Sequence, residues 1–273
     1  MRAALRAAGI AAALAVVLAP FLFLFLNGLK PSEEFALRPP RLLPSHVTLE
    51  HYAVVFDPEG ETFRYLRNSL VVTGCATALA VALGTVAAYG LNRLRLPFRL
   101  DLAIAFAFLV VRFYPKITVA LPYFILMRKL HLLDTQLAVI LAHASLTLPF
   151  VVWLVLGFLQ ELPKELEEQA MIDGCSLWQR FRLIVLPLSG PVIVTAAVLT
   201  AILSWNEFLM ASAVAPNAAK TLPVRIASFI TDKGIQWGPM SALGTVSVAP
   251  VMLFALVMQR WLVRGLTLGA VKE

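Results

Sequence analysis

Charged residues and cysteine are both scarce in this chain, and each shortage excludes a class of protein or a kind of site. Only 14% of the 273 residues are charged and 60% are hydrophobic, whereas a soluble domain carries about 25% charged residues. With a mean hydropathy of +0.82, the composition excludes a soluble globular protein and indicates an integral membrane protein. The two cysteines, Cys75 in an apolar run and Cys175 in a polar loop, are too few for a metal site and are interpreted as packing residues.

Sequence motifs of enzymes are missing as well. The four histidines, His46, His51, His131 and His143, are far apart in sequence, and no serine or cysteine occupies a nucleophile motif. No phosphate-binding glycine loop is present, so any nucleotide hydrolysis belongs to another chain. We therefore expect a protein that is not an enzyme and that holds no cofactor and no metal. His143 lies inside an apolar segment, where we expect it to make a hydrogen bond within a helical bundle.

Basic residues outnumber acidic ones, with 23 Lys and Arg against 16 Asp and Glu, and the formal net charge is +7. These basic residues are scattered singly among apolar runs and form no patch with interleaved aromatic residues, which argues against nucleic acid as a partner. Positive charge at the flanks of membrane spans explains them better. The surroundings expected from composition are therefore the lipid bilayer of the cell membrane.

Six apolar segments reach the length of ~20 residues that a ~30 Å hydrocarbon core requires. They cover residues 10–26, 69–91, 102–126, 137–159, 192–214 and 242–262. The expected fold class is all-α, with six transmembrane helices. Residues 1–67 are expected to form an anchor helix and the first outer loop, residues 68–262 the core, and residues 263–273 a tail. The first segment is interpreted as an uncleaved anchor, because bulky phenylalanines fill the place of a small-residue cleavage site.

Orientation in the membrane rests on the short loop 92–99. It carries three arginines, Arg93, Arg95 and Arg99, and short loops follow the positive-inside rule best. A count over all loops is nearly even, with eleven Lys and Arg inside and ten outside if the N-terminus is inside. We expect both termini to be cytoplasmic, which also places the later loop 161–187 on the cytoplasmic side.

The loop 161–187 holds the longest run of polar positions between apolar segments in the second half of the chain, and it predicts two short helices. An acidic first turn with Glu165, Glu167 and Glu168 complements the dipole of the first helix. Gly174 is expected to stop that helix. Ser176 is expected to cap the second helix, and Pro187 is expected to end the amphipathic stretch.

The spacing within this loop resembles a known signature. Glu168-Gln169-Ala170, three residues, Gly174, nine residues and Ile184-Val185-Leu186-Pro187 are similar to the EAA loop of binding-protein-dependent ABC importer permeases, with Gln169 where the family usually has alanine. The resemblance implies a type I ABC importer permease fold and a coupling helix that docks in a cleft of a cytosolic ATPase subunit. It assigns this contact to Glu168, Ala170, Asp173, Gly174, Ile184, Leu186 and Pro187.

Ionisable residues inside membrane spans cost ~2.5–3.5 kcal/mol each at the bilayer centre and need partners. Arg112 and Lys116 lie four positions apart in the predicted third span, so we expect them to share one helix face. Glu207, in the predicted fifth span, is expected at a depth close to that of Lys116. We expect Glu207 to pair with Lys116 or Arg112, either beside the substrate pathway or as an ion pair that only fixes helix packing.

Glu207 belongs to the run Ser204-Trp205-Asn206-Glu207-Phe208. Flat aromatic faces and amide or carboxylate groups suit a sugar, although an aromatic residue near the end of a span is also a common interface anchor. The run resembles the carbohydrate branch of the ABC importers, the maltose-type second permease, as do the stretches 130–135, 162–174 and 265–272. The predicted substrate-pathway residues are Trp205, Asn206, Glu207, Arg112 and Lys116.

The resemblance implies a subunit that pairs with a homologous permease, two ATPase copies and an extracytoplasmic solute-binding protein, for uptake of a sugar or oligosaccharide. A sugar-phosphate, a polyol or another ABC substrate stays open, because Arg112 and Lys116 suit a charged ligand. The alternative is an ion-coupled secondary transporter that uses Lys116 and Glu207. It is less favoured because such transporters are often built from inverted repeats and none is detected in this sequence.

Overall fold

A computed structural model describes residues 2–58, 60–94 and 96–267, and most of these residues are helical. The α-helices are α1 Arg2–Gly28, α2 Glu50–Val55, α3 Thr62–Arg93, α4 Leu100–Phe113, α5 Lys116–Lys129, α6 Gln136–Glu161, α7 Glu165–Ile172, α8 Leu177–Arg180, α9 Leu186–Leu188, α10 Gly190–Trp205, α11 Leu209–Val214, α12 Leu222–Ala227 and α13 Trp237–Thr267. The other elements are 3₁₀ turns at Ser32–Ala36 and Pro97–Arg99, a π-helical turn at Phe181–Val185, and the antiparallel strands β1 Ile230–Thr231 and β2 Gly234–Ile235. Arg95 and residues 268–273 of the predicted tail lie outside the described residues.

Four helical stretches are long and apolar enough to cross a membrane: Ala4–Gly28, Thr62–Arg93, Gln136–Glu161 and Trp237–Phe254. Two further spans are counted if each of two bent helix pairs crosses as one unit, namely Pro97–Phe113 with Lys116–Lys129 and Leu177–Leu188 with Gly190–Trp205. The chain therefore has the helical, apolar architecture of an integral membrane protein, with four to six candidate spans.

The predicted third span is not one continuous helix. It is divided between α4 and α5, which meet at 99°. Tyr114 and Pro115 between them are extended, with ψ of 133° and 122°. A proline lacks the N–H that a helix interior needs and pushes the preceding residue away from helical geometry. Pro149, in contrast, lies inside the unbroken helix α6.

The predicted fifth span is also interrupted. Helix α10 ends at Trp205, residues 206–208 leave the helix, and α11 begins at Leu209. At ~1.5 Å per residue, the 16 residues of α10 fall short of a full hydrocarbon core. The break is held by polar groups of Asn206 and Glu207, whose side chains bond to the backbone in place of a continuous helix.

In the predicted second and sixth spans, the helix begins several residues before the apolar run. Helix α3 starts at Thr62 and α13 at Trp237, because backbone hydrogen bonds continue past the point where the sequence becomes polar. Between the predicted fifth and sixth spans lie α12 and the small hairpin of β1 and β2, an exception to the all-α expectation.

Two compact units make up the chain, one of Met1–Arg67 with Leu222–Leu253 and one of Asn68–Thr221 with Phe254–Glu273. In the second unit, α6 packs against α4 and α10, and α11 packs against α5 and α6. One core cluster includes Val151, Val155 and Leu159 of α6 together with Ala76 and Ala80 of α3. Small residues on α3 let the two helix backbones approach closely, as is common in membrane proteins.

Asp134 joins the turn before α6 to residues 217–219 within the second unit. Its carboxylate accepts the backbone N–H groups of Asn217 at 3.0 Å, Ala218 at 2.9 Å and Ala219 at 3.2 Å, and its own N–H donates to Val214 O at 2.8 Å. A carboxylate that accepts several backbone donors fixes a turn strongly. The stretch 130–135 therefore fixes the position of the segment that follows α11 through the hydrogen bonds of Asp134.

The first unit contains a separate polar contact. Glu50 Oε1 accepts the backbone N–H of Ser32 at 2.9 Å and the Ser32 hydroxyl at 2.8 Å. These bonds from Ser32, the hydroxyl first, hold the pKa of the Glu50 carboxyl below its usual value. His51 Nε2 lies 2.9 Å from the carbonyl oxygen of Lys30, so α2 is tied to the chain that follows α1.

Alanine at position 84 is expected to destabilise the second unit. A Cβ at Gly84 would lie 2.7 Å from Val151 Cγ1 and 2.9 Å from its Cβ, and valine is too stiff at χ1 to move aside. Overpacking of this kind costs about 1–3 kcal/mol. The measurement is the thermal unfolding midpoint in detergent, with Gly74→Ala on the same helix as control, since a Cβ there meets no atom within 4 Å. Equal midpoints for the two variants would contradict the close packing.

Candidate functional site

The first helix of the loop 161–187 ends in a Schellman motif at Gly174. The N–H of Cys175 donates to Ala170 O at 2.9 Å, and the N–H of Gly174 donates to Met171 O at 3.1 Å. Gly174 itself has φ of +86°, in the left-handed region that glycine adopts without strain. The predicted stop at Gly174 is confirmed.

The second helix of the loop begins with a reciprocal cap. Ser176 Oγ accepts the N–H of Gln179 at 3.3 Å, and Gln179 Oε1 accepts the N–H of Ser176 at 2.7 Å. This capping box satisfies two backbone donors that a helix start leaves open. The predicted cap at Ser176 is confirmed, and Gln179 is an addition that the sequence reading did not include.

Pro187 does not end this second helix. The chain passes from α8 through the π-helical turn into α9, and only then bends by 74° into α10. Pro187 lies in the first turn of α9, where a missing N–H is tolerated, and π-turns and prolines are both recognised causes of bending. The helical run that begins at Leu177 therefore bends at Ser189, two residues after Pro187.

The residues expected to contact an ATPase differ in exposure. Ala170 is buried and Ile184 is half-buried, so these two support the loop from within. The others are exposed: Glu168, Asp173, Gly174, Leu186 and Pro187. Apolar side chains lie beside them on the surface, with Ile172 83% exposed and Trp178 61% exposed. The loop thus presents a mixed polar and apolar surface that the described part of the chain leaves uncovered.

A buried ion pair attaches the loop to α3. Glu167 Oε1 accepts from Arg93 Nε at 2.6 Å, and Glu167 Oε2 accepts from the hydroxyl of Tyr89 at 2.8 Å. The side chains of Arg93 and Glu167 are 10% and 5% exposed. These three residues are called the anchor cluster below.

Aromatic rings extend this attachment past Gly174. The ring centroids of Tyr89 and Phe181 are 4.9 Å apart, and those of Phe181 and Trp178 are 5.3 Å apart. Both distances lie in the range of favourable aromatic pairs. Tyr89 therefore contacts the loop on both sides of its glycine turn.

The anchor cluster is not among the sites predicted from the sequence. The sequence alone assigns Arg93 to the positive charge that flanks a span and Glu167 to the acidic first turn of a helix. A usable signal was present, since an arginine at the end of one span and an acid in a loop on the same predicted side are candidates for pairing. The burial that distinguishes Glu167 from exposed Glu165 and Glu168 depends on how α7 is rotated.

A second polar cluster surrounds Glu207, between α5, α6 and the break after α10. Lys116 Nζ lies 3.6 Å from Glu207 Oε1, and His143 Nε2 lies 3.3 Å from Glu207 Oε2. His143 Nδ1 is 2.9 Å from Ser204 Oγ. The predicted pairing of Glu207 with Lys116 and the predicted hydrogen bond of His143 are both confirmed.

Glu207 also caps the helix that follows it. Its Oε2 accepts the N–H of Met210 at 3.0 Å and the N–H of Ala211 at 3.3 Å. Only 5% of Glu207 is exposed, so the carboxylate depends on these donors for compensation of its charge.

Arg112 does not share a helix face with Lys116, which corrects the expectation from their spacing. The break at Pro115 places Arg112 in the last turn of α4 and Lys116 in the first turn of α5. The Arg112 guanidinium lies 4.8 Å from the centroid of the Phe150 ring, a cation–π distance. Within the part of the chain that the structure describes, Arg112 forms no ion pair.

A cavity of about 180 Å³ opens beside this cluster. Its charged and polar lining groups come from Arg112, Lys116, His143, Thr147, Ser204 and Glu207, and its aromatic groups from Tyr114 and Phe150. Trp205 and Asn206 are not among its lining residues. Trp205 is buried, and the Asn206 amide donates to Ile202 O at 2.8 Å. The structure therefore brings three of the five predicted pathway residues together.

Comparison with known proteins agrees with this geometry. A family model described as "Binding-protein-dependent transport system inner membrane component" matches residues 80–268. The trehalose transport system permease protein SugB of Mycobacterium tuberculosis is 38% identical over 259 residues, covering 93% of this chain and 92% of that protein. The trehalose/maltose transport system permease protein MalG of Thermococcus litoralis is 34% identical over 260 residues, covering 94% and 92%.

Among solved structures, the fold resembles a chain from the crystal structure of a bacterial ABC transporter involved in the import of the acidic polysaccharide alginate. The TM-score is 0.74 at 19% identity, with 94% of this chain and 95% of that chain covered. At this identity the likeness concerns the fold alone. From the family match and these relatives, the chain belongs to the binding-protein-dependent transport system inner membrane components, and it is a membrane transport subunit rather than an enzyme.

Proposed function

We propose that this chain is one of two permease subunits of an ATP-driven importer in the cell membrane, and that its solute is a sugar or oligosaccharide. The observation that carries the proposal is the loop 161–187, which exposes Met171, Ile172 and Trp178 beside Glu168. An exposed apolar patch with a polar rim is typical of a docking surface for another protein. The solute class rests on the relatives, whose names state trehalose and maltose transport.

The proposed partner at this surface is a cytosolic ATPase subunit, one of two in the complex. ATP binding draws the two ATPases together, the docked loops move with them, and the attached helices turn the pathway from inward-facing to outward-facing. A glycine turn and a capping box fix the loop at Gly174 and Ser176, which supports this mechanical role. Six spans with both termini cytoplasmic would place the loop on the side of the ATPases.

The proposed substrate pathway passes the polar cluster of Lys116, His143, Ser204 and Glu207. Its cavity combines hydrogen-bonding groups with aromatic rings, and sugar sites need both. An extracytoplasmic binding protein delivers the solute, and the second permease subunit completes the pathway. Buried Trp205 is assigned to packing in this proposal, because the structure keeps it out of the cavity lining.

Arg112 favours an acidic variant of this solute class. Its guanidinium reaches the same cavity as Lys116, and among the described residues Glu207 is the only acid that lines that cavity. A sugar-phosphate or an acidic sugar would supply the missing negative charge, whereas a polyol would not. A thermal-shift panel on the binding protein, with neutral and acidic sugars, separates these solutes.

Titratable groups in the polar cluster favour a second candidate, an ion-coupled secondary transporter. Lys116 of α5, His143 of α6 and Glu207 of the break after α10 form a contiguous series, and such series can relay protons. The loop 161–187 has no role in that reading, since no ATPase would dock there.

Uptake by the reconstituted complex is expected to require ATP and not an ion gradient. The complex contains this chain, its partner permease, the ATPase and the binding protein in proteoliposomes. Accumulation of the binding protein's ligand is measured with ATP inside, and then with a proton or sodium gradient alone. Accumulation driven by the gradient without ATP would exclude the importer and establish the second candidate.

Valine at position 174 is expected to weaken ATPase binding while the spans stay inserted. A β-branched residue in the left-handed region costs about 1–2 kcal/mol, which corresponds to roughly a tenfold loss in affinity. Asparagine tolerates this conformation, so Gly174→Asn is the matched variant and should retain most of the affinity. Binding of the purified ATPase to the permease pair is the measurement, and equal affinities for the two variants would remove the requirement for a glycine turn.

Lys116→Met and Glu207→Gln are each expected to lower uptake by about tenfold or more, since either one leaves a charge without its partner. Lys129→Met is the control, because Lys129 is an exposed cation at the other end of α5. Initial uptake rates are normalised to the amount of inserted complex. Normal uptake by both variants would restrict this ion pair to helix packing.

A further inference from the structure

We propose that Glu167 is a positioning residue for the transport cycle. Through Arg93 and Tyr89 it ties the loop 161–187 to the end of α3, so that movement of the loop pulls that helix directly. This inference rests on the proposed function, because it requires an ATPase that moves the loop.

The carboxylate of Glu167 is held from two directions. Arg93 Nε bonds to one oxygen at 2.6 Å, and the Tyr89 hydroxyl bonds to the other at 2.8 Å. Tyr89 and Arg93 are four residues apart on α3, so both lie on one face of that helix. A single face of α3 therefore fixes the position and the orientation of Glu167.

The same helix also holds the other half of the loop. The ring of Tyr89 packs at a tilt against that of Phe181, which follows α8, and the Tyr89 hydroxyl donates to Glu167 in α7. The two helices on either side of Gly174 are thus connected to one side chain of α3. Rotation of one half of the loop relative to the other would have to break a contact to Tyr89.

An ion pair transmits force differently from apolar packing. Van der Waals contacts resist being pushed together but are individually weak when helices are pulled apart. A charge-assisted hydrogen bond resists separation, and it is strongest where water is excluded. Glu167 is 4% exposed, so the link to Arg93 is protected from solvent screening.

The acids of α7 point in different directions. Glu165 and Glu168 are exposed, whereas Glu167 is buried against α3. Glu168 is therefore available to a docked partner, and Glu167 is available only to its own chain. One turn of helix presents one acid to the outside and another to the membrane span.

Glu167→Gln is the principal test, measured in the complete importer reconstituted with its binding protein. The variant keeps the side-chain shape and removes the charge that Arg93 needs. We expect ATPase binding within about twofold of wild type and solute imported per ATP hydrolysed at least about fivefold lower, in the range of typical coupling effects. A merely structural role would lower the yield of complex without changing this ratio.

Tyr89→Phe is the second variant, and it keeps the ring against Phe181 while removing one hydrogen bond. We expect a smaller loss of the same ratio. Glu165→Gln is the matched control on an exposed acid of α7 and should leave the ratio unchanged. If Glu167→Gln does not yield assembled complex, the inference is tested by the solute imported per ATP hydrolysed in Tyr89→Phe alone.

A wild-type ratio of solute imported to ATP hydrolysed would overturn the inference in either variant, Glu167→Gln or Tyr89→Phe. A loss of ATPase binding in Glu167→Gln would also overturn it, because Glu167 would then be a docking residue. These outcomes differ from failure of the proposed function. If the wild-type complex shows no ATP-dependent import, the function itself is wrong, whereas normal wild-type import with unchanged variants refutes only the role of Glu167.

Discussion

The backbone groups left open at helix ends are the constraint on which the rest of this structure depends. Where a helix breaks inside a hydrocarbon core, water cannot satisfy these groups and the protein itself must do so. The same kind of group is also paired within the chain at the end of α7, in the loop 161–187. At Gly174 the open carbonyls of α7 accept the N–H groups of Gly174 and Cys175, and after residues 206–208 the carboxylate of Glu207 accepts the N–H of Met210. The proposed docking loop and the polar cluster both lie at such breaks, which places the candidate functional elements where the helical ladder stops.

Acidic side chains close three of the junctions, and each reaches a segment distant in sequence or in space. Asp134 accepts three backbone donors of residues 217–219, Glu167 joins α7 to α3, and Glu207 joins the end of α10 to α5 and α6. The chain has 16 acidic residues against 23 basic ones. A carboxylate accepts several donors at once, and this explains how few acids can organise so many helix ends.

Local signals in the sequence are sufficient to predict where helices and the polar loop lie. They are not sufficient to predict which side chains of neighbouring helices face each other. Gly174 and Ser176 act within their own turns, so their roles follow from residue type. Arg112 and Lys116 depend on the direction of the chain after Pro115, and a 99° turn separates residues that an unbroken helix would align. Glu167 and Glu168 are neighbours of the same type, and only the packing of α7 against α3 decides which one is buried.

Glu207 bonds to the start of one helix and pairs with a cation at the start of another. A helix N-terminus favours an anion, and Glu207 accepts the first free N–H groups of α11. The dipole of α5 disfavours a cation at its own start, where Lys116 lies directly after Pro115. The ion pair between them therefore offsets an unfavourable cation with a favourable anion. It also joins the break in the third span to the break in the fifth, so that neither bend can change without affecting the other.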